Sequence, residues 1–140
     1  MTDLSVNVAG VAFHNPLIAA SGTFGFGREY AEFYPLSTLG GISCKGITLQ
    51  ERPGNPPPRI AETPSGMLNA VGLQNPGVDH FIREDLPWLR EQGTRIIANI
   101  AGNTPEAYCA MAEKLNDTDV DMIELNISCP NVKQGGVQFG

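Results

Sequence analysis

Charge is scarce in this chain: only 17% of its 140 residues are Asp, Glu, Lys or Arg, against roughly 25% in an ordinary soluble protein. Such a shortfall points to surface reserved for a cofactor, a partner or further chain. The charge that is present runs acidic, with nine Lys and Arg against fifteen Asp and Glu and a net −6. Nucleic acid and anionic membrane surfaces both select clustered Lys and Arg, so neither is an expected partner. Long apolar runs are missing as well. Nothing approaches the roughly 20 residues that span a bilayer. The start, Met1-Thr2-Asp3-Leu4, lacks the basic and apolar regions of a signal peptide. The three cysteines (Cys44, Cys109, Cys129) include no C-x-x-C pair, and an odd number cannot close a disulfide framework. The two histidines, His14 and His80, have no neighbours at metal-ligand spacing. These absences predict a cytoplasmic chain with reduced thiols and no metal site.

The length suits one domain, and 41% apolar residues suit an ordinary core. What recurs along the chain is a short apolar run, a polar loop and a helix, with no internal repeat. Residues 4–8 and 11–13 flank Ala9-Gly10 and predict a small N-terminal β-hairpin. Four buried strands are predicted after it: 17–20, 39–42 running on towards Lys45, 95–100 and 122–127. Helices are expected over 26–34 and 78–92, with Pro87 ending or bending the second. The firmest helix follows Thr104, a capping residue, with Pro105 at the first helical position and Glu106 facing the positive end of the dipole. Its Tyr108, Met111, Ala112 and Leu115 recur at i, i+3, i+4 and i+7, one buried face. Between Thr48 and Gly77 lies a long loop rich in proline, whose residues 59–63 suit an excursion strand; loops of this length are usually functional.

About four β/α units in 140 residues fit the first half of a TIM-type (β/α)8 barrel. An open doubly wound sheet is the rival, but it usually brings G-x-G-x-x-G after the first strand. Here that position holds Ser21-Gly22-Thr23-Phe24-Gly25-Phe26-Gly27, at the wrong spacing. In a parallel barrel, chemistry sits at the C-terminal ends of strands, which picks out Ser21, Lys45, Asn99, Asn126 and Cys129. Alternation puts Ile123, Leu125 and Ile127 on one face of the last strand, with Glu124 and Asn126 on the other. By position alone, each residue also has a plainer role: Lys45 a solvated charge, the asparagines loop ties, Cys129 a small buried hydrophobe. Cys44 and Cys109 keep that plainer role, Cys44 facing away from Lys45.

Three segments resemble dihydroorotate dehydrogenases of class 1. They are Lys45-Gly46 with Thr48-Leu49, the run Asn69-Ala70-Val71-Gly72-Leu73-Gln74-Asn75-Pro76-Gly77, and Glu124-Leu125-Asn126-Ile127-Ser128-Cys129-Pro130-Asn131. The stretch Gly54-Asn55-Pro56-Pro57-Pro58-Arg59-Ile60 with Glu62-Thr63-Pro64 resembles the NAD-linked 1B branch. The resemblance implies FMN over a barrel mouth, with dihydroorotate stacked on it and oxidised to orotate in pyrimidine biosynthesis. By motif match Cys129 is the base at C5, while class 2 relatives carry Ser there. Ser21, Lys45, Gly46, Asn99 and Asn126 would hold the flavin. Lys45, Asn69, Ala70, Val71, Gly72, Leu73 and Asn126 would hold the substrate. The 1B branch further implies a partner subunit carrying FAD and a 2Fe–2S cluster, in a heterotetramer. Residues 132–140, with three glycines, resemble the start of a mobile lid.

The family's phosphate-binding loops and a second flavin-contacting lysine lie beyond Gly140. The expectation is therefore the N-terminal half of one flavin-binding barrel domain, 1–140, which alone binds flavin poorly and folds weakly because its edge strands stand open. Other readings are the flavin domain of a dihydropyrimidine dehydrogenase, against which the start at Met1 argues, a Schiff-base aldolase using Lys45, and a non-catalytic half-barrel that only docks onto another chain.

Overall fold

The structure, a computed structural model, describes residues 2–127. It opens on a hairpin, β1 (Val6–Val8) and β2 (Val11–Phe13), antiparallel in the register Val6 to Phe13. Ala9 and Gly10 turn it with φ of 50° and 86°, the doubly left-handed backbone of a two-residue hairpin turn. A parallel sheet follows, built from β3 (Ile18–Ala19), β4 (Gly41–Ser43), β7 (Arg95–Ile100) and β8 (Met122–Leu125). The strands lie side by side in chain order, β3-β4-β7-β8. No reversal of strand order occurs among them, so the sheet lacks the switch point of a doubly wound fold.

Its helical side is dry. Ile42, Cys44, Ile96, Ala98 and Ile100 pack there with Phe24, Leu36, Phe81, Leu89, Met111 and Leu115 in one buried cluster. The helix α5 (Pro105–Asn116) matches its sequence signals. Thr104 caps it by accepting from the Ala107 N–H, and Met111 and Leu115 are fully buried. Asp121, at the entry to β8, accepts from Arg90, Arg95 and the Ile96 N–H, tying that strand to β7.

Expected as buried, the edge strands β3 and β8 are largely exposed, and three further stretches differ in form from expectation. Residues 26–34 do not form one helix: α1 (Ser21–Phe24) and α2 (Arg28–Ala31) flank Gly25 and Gly27, whose φ of 62° and 84° no helix allows. Pro87 does not end its helix. The chain runs from α3 (Val78–His80) through a π turn (Phe81–Asp85) into α4 (Leu86–Arg90). Widening the turn ahead of the proline lets the helix pass a residue with no N–H to donate. The excursion strand β5 (Ile60–Thr63) exists but is half of a hairpin, paired with β6 (Gly66–Asn69), and both strands are exposed along their whole length. Among the described residues no helix is long and apolar enough to cross a membrane, and no cluster of His, Cys, Asp and Glu suits a metal ion.

Cys44 shows how dry the helical side is. Burial, then the charges of Asp85 and Glu124, push its thiol up to about 12. An unfolded thiol ionises near 8.5. Between those values the unfolded chain holds fewer protons than the folded one, so this group's contribution falls with rising pH, by up to about 1.4 kcal/mol per unit. Urea midpoints are expected to drop more steeply above pH 9 in the parent than in Cys44→Ala. Equal slopes would place Cys44 in water.

Candidate active site

The opposite side of the sheet and its C-terminal edge are polar. Beyond β4 the parallel ladder continues, because the Ile47 N–H donates to Asn99 O at 2.9 Å and the Ala101 N–H to Ile47 O at 2.8 Å. Residues 45–47 are thereby fixed beside the end of β7. A Cβ on Gly46 would meet Asn99 Oδ1 at 2.9 Å, Leu73 Cδ1 at 3.1 Å and Asn126 Nδ2 at 3.5 Å. Only glycine fits so close a convergence, and it shows that parts from β4, β7, β8 and the long loop meet at one point.

Asn99 is 1% exposed, and a buried amide must find partners. Its Nδ2 donates to Glu124 Oε1, and its Oδ1 accepts from Asn126 Nδ2 at 3.3 Å. Glu124 also accepts from Ser43 Oγ at 3.1 Å. Asn126 is anchored at both backbone groups: its N–H donates to Ile100 O at 2.9 Å, and its carbonyl accepts from the Tyr108 hydroxyl at 2.6 Å. Lys45 is half-buried, its N–H donating to Gly25 O at 2.8 Å. Among the described residues no carboxylate comes within 4.0 Å of its ammonium. An ammonium with no carboxylate in ion-pair reach suits an electron-rich or anionic ligand.

The loop segment 69–73 is held from below. Asn55 donates from its backbone N–H to Val71 O and from Nδ2 to Ala70 O. Arg59 donates to the carbonyls of Asn55 and Pro53 and to the Gln74 side chain. Leu73 is a non-glycine residue at φ 57°, a costly conformation that persists only where surroundings impose it and that clusters at ligand sites. Asn75, 4% exposed, does the imposing. Its Oδ1 accepts from the N–H groups of Thr48 and Gly77, and its Nδ2 donates to Leu73 O and Thr48 Oγ1.

The structure thus gathers Gly46, Leu73, Asn99 and Asn126, with Lys45 next to them in the chain. Ser21 opens α1 directly after β3, at the same edge of the sheet. Asn69, Ala70, Val71 and Gly72 lead from the exposed hairpin into the contact point at Leu73. Cys129 and the lid expected over 132–140 lie outside the described residues. A cleft of about 330 Å³ lies between residues 48–52 and 101–104. None of the clustered amides lines it, so the site is the open polar face rather than that cleft. Sequence reasoning named neither Glu124, Asn75 nor Tyr108 as a site residue, Tyr108 being read only as part of a buried helix face. For Glu124 a signal was present: a carboxylate sharing a strand face with Asn126.

A family model described as dihydroorotate dehydrogenase matches residues 3–140. The chain is 63% identical over 140 residues to the catalytic subunit of dihydroorotate dehydrogenase B (NAD(+)) from Petrotoga mobilis, covering 100% of this chain and 47% of that protein. It is 60% identical over 138 residues to the like-named protein of Alkaliphilus metalliredigens, covering 99% and 46%. The chain therefore spans about half the length of the curated relatives it matches. Among solved structures, dihydroorotate dehydrogenase of Eimeria tenella in complex with ferulenol matches with a TM-score of 0.65 at 26% identity, over 94% of this chain and 38% of that one.

Proposed function

The chain belongs to the dihydroorotate dehydrogenase family, and from that we propose that it supplies the N-terminal half of a (β/α)8 barrel that oxidises dihydroorotate to orotate in pyrimidine biosynthesis. The observation that carries the reading is the convergence of Gly46, Leu73, Asn99 and Asn126 from separate elements at one strand-end edge, beside Lys45. The donor set fits a flavin: a cation without a carboxylate partner among the described residues, and two amides that Gly46 allows to converge at the strand ends. Ser21, Lys45, Gly46, Asn99 and Asn126 would hold FMN. FMN held there would supply the acceptor for the hydride leaving C6 of the substrate. Cys129, three residues beyond Asn126, takes the C5 proton. Lys45 and Asn126 also bind the pyrimidine, together with Asn69 and the backbone of residues 70–73. Relatives named as catalytic subunits of an NAD(+)-linked enzyme support a heterotetramer in which a partner carrying FAD and 2Fe–2S passes electrons to NAD. Free Cys44 and Cys109 are compatible with the cytoplasm.

The test is anaerobic titration of the complete flavin-loaded protein. Dihydroorotate is expected to bleach the flavin and yield orotate stoichiometrically, with NAD reduction only after the partner is added. Bleaching by dihydrouracil but not by dihydroorotate would overturn the substrate. A chain that leaves FMN unbound in the complete protein would overturn the enzyme.

A further inference from the structure

We propose that Glu124 is a positioning residue that sets the hydrogen-bond polarity of the asparagine pair and so decides which edge of the pyrimidine the site accepts. The inference rests on the function proposed above and adds to it a residue with no assigned part. An ionised carboxylate only accepts hydrogen bonds. Glu124 Oε1 and Oε2 face Asn99 Nδ2 and Ser43 Oγ, so Asn99 must turn its NH2 group towards the carboxylate. The flipped amide would set oxygen against oxygen. With Asn99 held this way, its Oδ1 can only accept, and Asn126 must in turn present Nδ2 to it. Outside this network Asn126 keeps its carbonyl oxygen and one N–H, and the oxygen is the acceptor it can turn to a ligand. Three side chains on adjacent strands thus form a one-way relay from Glu124 to an acceptor at the mouth.

Orotate offers ring N–H donors, and an acceptor at Asn126 matches one of them. A site built to bond an N–H rejects the analogue that lacks it, because its own buried acceptor goes unpaired. Glu124→Gln keeps the shape but supplies an NH2 group. It permits the relay to run backwards and to point the Asn126 NH2 at the ligand. Ser43→Ala removes one tether of Glu124 and leaves its acceptor character intact.

The experiment measures Kd of orotate and of its N1- and N3-methyl derivatives in the holoenzyme. The parent is expected to prefer orotate over at least one methylated form. In Glu124→Gln that preference falls tenfold or more with FMN content unchanged. In Ser43→Ala and Glu124→Asp it stays within threefold. If Glu124→Gln does not fold, Glu124→Ala replaces it, with the same expected loss. A preference unchanged in either variant overturns the proposal, as does equal loss in Ser43→Ala, which would make the network merely structural. A parent that binds all three ligands alike also overturns it, since no acceptor is then presented. A parent with no orotate affinity removes the function itself, and Glu124's part with it.

Discussion

Replacing Cys129 by alanine is expected to slow oxidation of dihydroorotate a hundredfold or more, leaving FMN content and orotate Kd within threefold of the parent. General base catalysis contributes roughly 10²–10⁴ in rate, and a methyl group cannot take a proton. A free thiol with a pKa near 8.5 is a few per cent thiolate at neutral pH, and a nearby cation raises that share. Serine retains a hydroxyl of similar size, but at neutral pH almost none of it is ionised, so Cys129→Ser is also expected to be slow. Asn126, three residues earlier in the sequence, is bonded at both its N–H and its carbonyl. The rate of flavin bleaching in a single turnover reads the proton-transfer step without the partner subunit. Activity within threefold of the parent would remove Cys129 from the mechanism and leave the binding residues untouched.

Asn75→Ala should be the most damaging single change to the architecture of the site. Four hydrogen bonds end on this 4%-exposed amide: two reach Thr48 in the loop after β4, and two fix Leu73 and Gly77 in its own loop after β6. Truncation leaves the N–H groups of Thr48 and Gly77 and the carbonyl of Leu73 without these partners, at about 1–3 kcal/mol for each buried group that finds no water. Water reaches part of the site, so a total of about 3 kcal/mol is expected, a fall in Tm of roughly 6–12 °C. Leu73 would also lose what holds it at φ 57°, and orotate affinity should drop tenfold or more. Thermal unfolding and orotate titration of the full-length protein measure both. Asn75→Asp separates them: it keeps an acceptor for Thr48 and Gly77 but turns an oxygen towards Leu73 O, so affinity should suffer more than stability. Parent-like values for both variants would show that the loop is held elsewhere.

Some of this was legible without coordinates because it is local. The cap at Thr104 and the Met111/Leu115 stripe depend on neighbours within one helix, and β7 spans the apolar run 95–100 as read. The hairpin at Ala9-Gly10 is local too: both residues take positive φ, freely at Gly10 and at a cost at Ala9. Period-two alternation set Cys44 against Lys45, and Cys44 lies in the core while Lys45 is half-buried. Parallel order and the strand-end rule then named Lys45, Asn99 and Asn126.

The rest depended on groups distant in the chain. Gly27, at φ 84°, confines the helix expected over 26–34 to Arg28–Ala31, and a π turn carries another helix past Pro87. Nothing near Ile60 in sequence states that Gly66–Asn69 will pair with it. Asn75 reads as one amide in a loop until Thr48, 27 residues away, is brought against it. Glu124 gains its meaning only beside Ser43 and Asn99, at separations of 81 and 25 residues. The sequence by itself determined the four parallel strands, the capped helix and the list of polar strand ends, since periodicity and capping are properties of adjacent residues. Only the tertiary structure decided which of those polar groups face one another and which atom each must offer, because hydrogen-bond direction is set by the partner across the sheet.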